Sequence, residues 1–170
     1  FVAGVKDDLV LISVRSKILA QLLAITLWIF NADLPLENFQ GFLGFSEIPV
    51  WLLVAFSYFT VLSIINAYNL IDGIDGLAAM LGIVIFAVFS FVFYWLQLYF
   101  YFLLALVPLG YLLAFLRFNI SKNRKIFMGD TGSMITGFLI GILSLRFLSL
   151  ESGQLQALHI QPGNVLLLTL

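Results

Sequence analysis

Long apolar runs set the limits on this chain. Residues 18–34, 48–66, 77–96, 98–116 and 134–150 are each nearly free of charge, and residues 165–170 begin another such run. A helix needs about 20 mostly apolar residues to cross a bilayer. Inside hydrocarbon every backbone N–H and C=O must be paired within the segment, which leaves helices or closed barrels. Runs of this length without strict alternation read as helices. The expected fold is therefore all-α, a polytopic transmembrane helical bundle. Charged residues make up only 10% of the chain, against about 25% in a soluble domain. The first run, Ile18–Phe30, is short and spans only if it extends into Ala32–Leu36. The second and third long runs after it are separated only by Gln97, so they form a tight hairpin.

Crossing parity then sorts the loops. If Lys6–Lys17 lies on one side, the loops Asn69–Gly76 and Arg117–Gly132 return to it, while Asn31–Glu47 and Glu151–Gly163 lie opposite. Lys6, Arg15, Lys17, Arg117, Lys122, Arg124 and Lys125 all fall on the first side; only Arg146 falls toward the other. That asymmetry marks the first side as cytoplasmic. The net charge of −1 argues against a nucleic-acid partner. The chain has no cysteine, so disulfides and thiolate metal sites are excluded. It opens on Phe1 and stops inside "NVLLLTL", which reads as one catalytic-core piece, residues 1–170, of a larger multi-span protein.

Five carboxylates share the cytoplasmic side, in three motifs: "GVKDD", "NAYNLIDGIDGLA" and "KIFMGDTGS". Each has a plain reading. Asp7 and Asp8 suit a solvated acid pair. Asn69 or Gly73 suits a helix end and Asp75 the cap of the next helix. Thr131 or Ser133 suits another cap. The plain reading leaves Asn66, Asn69, Asp72 and Asp75 unexplained, because their three-residue spacing sets carboxamides and carboxylates on one helical face. Such a stripe at a membrane boundary is costly unless something binds it. Carboxylates suit Mg²⁺ when substrate phosphates complete its shell. Carboxamides can read a base edge or sugar hydroxyls. A helix start at Asp130 favours phosphate oxygens, and Lys17, Lys122, Arg124 and Lys125 add positive charge. His159, the only histidine, reads as a plain loop residue.

The three motifs, in this order and spacing, resemble those of the polyprenyl-phosphate N-acetylhexosamine-1-phosphate transferases, a glycosyltransferase family of polytopic membrane enzymes. The resemblance covers nearly the whole chain. It implies transfer of an amino-sugar phosphate from a UDP-sugar to undecaprenyl phosphate, release of UMP, and a requirement for Mg²⁺, with Mn²⁺ as the alternative metal. By matching positions it implies that Asp75 and Asp130 hold the metal and that Asp7 and Asp8 are catalytic, beside the lipid phosphate. It implies that Asn69, Asp72 and Asn119 face the nucleotide-sugar and that Lys17 binds the lipid phosphate. Position 11 is Leu where many members carry a polar residue. "FLRFN…KIFMGDTGS" is closer to the branch that starts envelope polysaccharides with UDP-N-acetylglucosamine. The alternative is the phospho-N-acetylmuramoyl-pentapeptide transferase of peptidoglycan synthesis. The implied setting is the bacterial inner membrane, with the active site facing the cytoplasm; a homodimer is a further expectation.

Two other classes fit less well. A CDP-alcohol phosphotransferase needs an Arg where "DGLAAM" has Met80. A divalent-cation transporter would place its acids near the bilayer midplane on broken helices, whereas these lie at span ends. Asn66 has no role in either reading.

Overall fold

The computed structural model describes residues 1–10, 12–31, 49–150 and 154. Leu11, the extension through Ala32–Leu36, the loop acids Asp33, Glu37, Glu47 and Glu151, His159 and the run at 165–170 lie outside the described residues. The chain is all-helical there, in the order α1 (Val2–Leu9), α2 (Val14–Asn31), α3 (Val50–Ile71), α4 (Leu77–Trp95), α5 (Tyr99–Asn119) and α6 (Gly129–Leu148). Among the described residues, α3 to α6 are the four helices long and apolar enough to cross a membrane. α2 is not one of them: its first turns carry Arg15, Lys17 and Gln21.

α6 is the inner helix. Of its most apolar window 61% is buried, against 17% for α5. Small residues allow this. A Cβ at Gly137 would stand 2.8 Å from the Ile65 Cα, and one at Gly141 would stand 2.9 Å from Val61 Cγ1. Gly137 and Gly141 are four apart and so share a face, the spacing that lets membrane helices meet backbone to backbone. In lipid, such close packing replaces the hydrophobic drive that works in water.

α4 and α5 form the hairpin expected from the sequence. Gln97 takes a left-handed φ of +58°, Leu98 N donates to Phe93 O at 2.9 Å and Gln97 N to Tyr94 O at 3.0 Å. This pair of bonds satisfies the terminal carbonyls of α4 and reverses the chain at once. Tyr94 meets Phe102 at 5.3 Å and Phe93 meets Tyr101 at 5.6 Å across the hairpin. Elsewhere the buried Tyr68 hydroxyl donates to Ala78 O at 2.6 Å, pinning the end of α3 to the start of α4.

α2 runs antiparallel to α3, because Asn66 Nδ2 donates to Gln21 Oε1 at 3.1 Å and Thr26 and Tyr58 share a 2.7 Å hydrogen bond further along. Asn66 is thus a tie between helices. The start of α2 therefore lies beside the end of α3 and the start of α6, the ends that carry the three motifs.

The α3–α6 seam gives a stability test. Gly137→Leu must push against backbone, so it should destabilise the fold by about 1–3 kcal/mol. Gly110→Ala on α5, where a Cβ meets nothing within 4 Å, should be neutral or stabilising by about 0.5–1 kcal/mol. Thermal unfolding of both variants in detergent checks this; equal effects would remove the seam as the organising contact.

Candidate active site

Lys17 is the hub of the polar cluster. Its Nζ lies 2.5 Å from Asp7 Oδ2 and 2.8 Å from Asp130 Oδ1. Asp7 is 6% exposed, and its other oxygen accepts from Ile12 N at 3.0 Å. The Lys17 hydrogen bond, with help from Ile12 N–H, holds the Asp7 carboxyl below the usual carboxylate range. Asn69 donates from Nδ2 to the same Asp130 Oδ1 at 2.6 Å and to Ser133 Oγ at 2.7 Å.

Asp8 faces the other way. Asp130 N donates to its Oδ1 at 2.8 Å; Thr131 N and Thr131 Oγ1 donate to its Oδ2 at 3.1 and 2.5 Å. The Thr131 hydroxyl, joined by the two backbone N–H groups, outweighs burial and lowers the Asp8 pKa. Asp72 differs from both. Burial and then the Asp130 charge push its carboxyl up.

The structure brings Asp7, Asp8, Lys17, Asn69, Asp72 and Asp130 to one place. It sets Asp75 apart. Asp75 follows the turn after α3, its side chain is 53% exposed, and Lys125 Nζ sits 2.5 Å from its Oδ2. The expected stripe of four polar residues holds for Asn66, Asn69 and Asp72 and breaks at Gly73, where the helix has ended. Asn119 is 5% exposed; its Oδ1 accepts from Gly76 N at 2.6 Å and its Nδ2 donates to Ile126 O at 2.9 Å. It braces the two loops after α3 and α5.

Two plain readings need correction. Neither Thr131 nor Ser133 caps α6: Thr131 donates its hydroxyl to Asp8, and Ser133 Oγ donates back to Gly129 O at 2.9 Å. The cap comes from Asp8, and the N-cap residue Met128 makes no side-chain cap hydrogen bond. Nor does Asp75 cap α4, whose N-cap is Gly76 in the left-handed region at φ +77°. The sequence reading missed Ser133 as a partner of Asn69 and Gly4 as the contact point of α1 on α6. The run of small and hydroxyl residues in "GDTGS" was the available signal.

The donor set suits a hard cation, since every candidate ligand is a carboxylate oxygen. No group of three or more acidic or histidine side chains is arranged to hold a metal among the described residues. Mg²⁺ is commonly held by one or two carboxylates, with substrate phosphates and water completing the shell. Asp130, and Asp72 whose ionisation Asp130 opposes, are groups that a divalent cation would satisfy.

The family model described as glycosyl transferase family 4 matches residues 1–148. A phospho-N-acetylmuramoyl-pentapeptide-transferase of Enterococcus hirae is 36% identical over 120 residues, covering 71% of this chain and 33% of that protein. The chain thus spans about a third of the length of this curated relative. No solved structure matches significantly.

The carboxylates should respond to pH with opposite signs. Asp7 and Asp8 have folded-state pKa values below the usual carboxylate range. Their stabilisation is complete above the ordinary value and is lost as pH falls through the folded-state values. Asp72 has a raised value, so its charge costs stability at neutral pH and protonation relieves the cost. In metal-free buffer Asp72→Asn should raise the unfolding midpoint at neutral pH by about 2–4 °C. That gain should fade as pH falls and vanish below about pH 4. Asp8→Asn should flatten the acid limb below about pH 4. Unfolding midpoints across the pH range check both; an unchanged acid limb in Asp8→Asn would contradict the assignment.

Proposed function

The chain belongs to glycosyl transferase family 4, and from that premise we propose that the protein moves a phosphorylated N-acetylhexosamine from a UDP-linked donor to a polyprenyl phosphate. The observation that carries the reading is Lys17 held between Asp7 and Asp130, with Asn69 and Asp72 beside them, where the ends of four helices meet. A cation fixed among carboxylates at a span boundary suits a lipid phosphate meeting a soluble nucleotide. Seven of the eight basic residues lie on that side, which supports a cytoplasmic-facing site in a bacterial inner membrane.

A phosphate monoester has a second pKa near 6, so at neutral pH the lipid phosphate is largely a dianion and needs little activation. Asp7, with its lowered pKa, is ionised and a weak base. Its part is to hold Lys17, whose ammonium draws the lipid phosphate to the site. Asn69 and Asp72 face the nucleotide-sugar. The attacking oxygen of the lipid phosphate forms a bond to the sugar-bearing β-phosphorus; the bond from that phosphorus to the bridging oxygen breaks; UMP leaves with the electron pair. Mg²⁺, or Mn²⁺ in its place, would be held by Asp130 with Asp72 or Asp75, and would supply neutralisation of the pyrophosphate charge.

For the donor we propose UDP-N-acetylmuramoyl-pentapeptide, because the Enterococcus hirae relative is named for that transfer. UDP-N-acetylglucosamine is the second reading, supported by "FLRFN…KIFMGDTGS". The test uses the full-length protein in membranes with undecaprenyl phosphate and each donor. UMP release is expected from one donor only, and only with divalent metal. Asp130→Asn and Asp75→Asn should each lower turnover by about 100-fold or more. Turnover at the wild-type rate in both variants would remove them as metal ligands; release from UDP-N-acetylglucosamine alone would reverse the donor assignment.

A further inference from the structure

We propose that Asp8 is a positioning residue: it acts through the first turn of α6 to seat Asp130, and does not itself touch substrate. The inference rests on the phosphosugar-transfer reading only for what Asp130 does once seated.

A helix start leaves its first N–H groups without partners. The usual remedy is a side-chain oxygen on the N-cap residue, which takes the N–H of the second or third helical residue. α6 begins at Gly129, so those residues are Asp130 and Thr131. Met128, at the N-cap, makes no side-chain cap hydrogen bond, its thioether being only a weak acceptor. Asp8 takes both N–H groups, from a helix over 120 positions away in sequence, and takes the Thr131 hydroxyl as well. The capping bond is the normal one; its donor helix and acceptor belong to different elements.

Two glycines leave room for this arrangement and for nothing larger. Gly129 has φ +70°, and a Cβ there would stand 2.9 Å from Asp8 Oδ1. A Cβ at Gly4, on the same short helix as Asp8, would stand 2.6 Å from the Thr131 Cα. α1 is therefore seated directly on the α6 backbone, with Asp8 closing the contact. The backbone of Asp130 is fixed by Asp8, while its side chain is fixed by Lys17 and Asn69. The two adjacent acids split the work: Asp7 holds the cation, and Asp8 holds the helix that presents Asp130.

Direct contact with substrate would use the solvent-facing side of the same carboxylate. The two roles differ in how Asp8 couples to Thr131. A cap loses its effect together with its donor, so Asp8→Ala and Thr131→Val should not add; a group acting on substrate should combine independently with Thr131→Val. In the full-length protein, Asp8→Ala should lower kcat by about 100-fold, the scale of a small misplacement in an active site. KM for donor and lipid should move by less than about threefold, since ground-state contacts are kept. Thr131→Val should lower kcat by about tenfold, and the double variant should be no worse than Asp8→Ala within about threefold. Thr131→Ser should recover most of the loss. Hydrogen exchange at the Asp130 and Thr131 amides should accelerate at least about tenfold in Asp8→Ala. This last measurement does not depend on activity. If the wild-type protein released no UMP from either donor, the functional reading would fail while exchange still decided the cap. Multiplying losses, a rise in lipid KM, or unchanged amide exchange would each overturn the proposal. If Asp8→Ala fails to fold, Thr131→Val against Thr131→Ser still tests it by kcat and exchange.

Discussion

One ammonium group organises the polar end of this molecule. Lys17 stands between Asp7 on one segment and Asp130 on another 113 residues away. Without it, Asp7, Asp72 and Asp130 would place three carboxylates together with no counter-charge in contact. Two carboxylates at close range oppose each other's ionisation; the Asp72 carboxyl is pushed up first by burial and then by the Asp130 charge. Every helix that meets at this end is oriented by the same few groups. α1 brings Asp7 and Asp8, α2 brings Lys17, α3 brings Asn69, and α6 brings Asp130.

The bilayer explains why the charges gather here. A charge within hydrocarbon costs several kcal/mol unless paired or led to the interface. Charge therefore collects at helix ends, while the middles pack by shape. The Gly137–Gly141 face of α6, packed against α3, sets α6 inside the bundle and so fixes where its first turn can lie. Packing in the apolar layer and chemistry at the boundary are linked through this one helix. A shift of α6 along the seam would carry Asp130 away from Asn69, its partner at the end of α3.

Much of the fold was legible in the sequence. The apolar runs found the helices because length and hydropathy suffice in lipid, and the hairpin followed from the near absence of a linker. Parity put the three acidic motifs on one side, and the structure puts their helix ends in contact. Pair identities were not legible. Periodicity placed Asn66, Asn69, Asp72 and Asp75 on one face, yet the helix ends before Asp75, and that residue turns to Lys125. Nothing in the spacing separates a carboxamide that reads a ligand from one that braces two loops, as Asn119 does. Asn66 gained a role only when α2 was seen to lie against α3.

The pair Asp7–Asp8 shows why adjacent identical residues need not share a function. On a helix, neighbours point about 100° apart. With α1 laid on the start of α6, one of the two must face into the cluster and the other must face the α6 backbone. Asp7 meets a cation and a backbone N–H; Asp8 meets three donors of a single helix turn. Both become stronger acids, for different reasons, and so neither is a good proton acceptor at neutral pH. On the proposed transfer, that suits a phosphate nucleophile that is already ionised. What remains for the protein is to fix charge and distance. On that reading, a carboxylate that supports a helix and one that holds a lysine serve that end without either touching the reacting phosphorus.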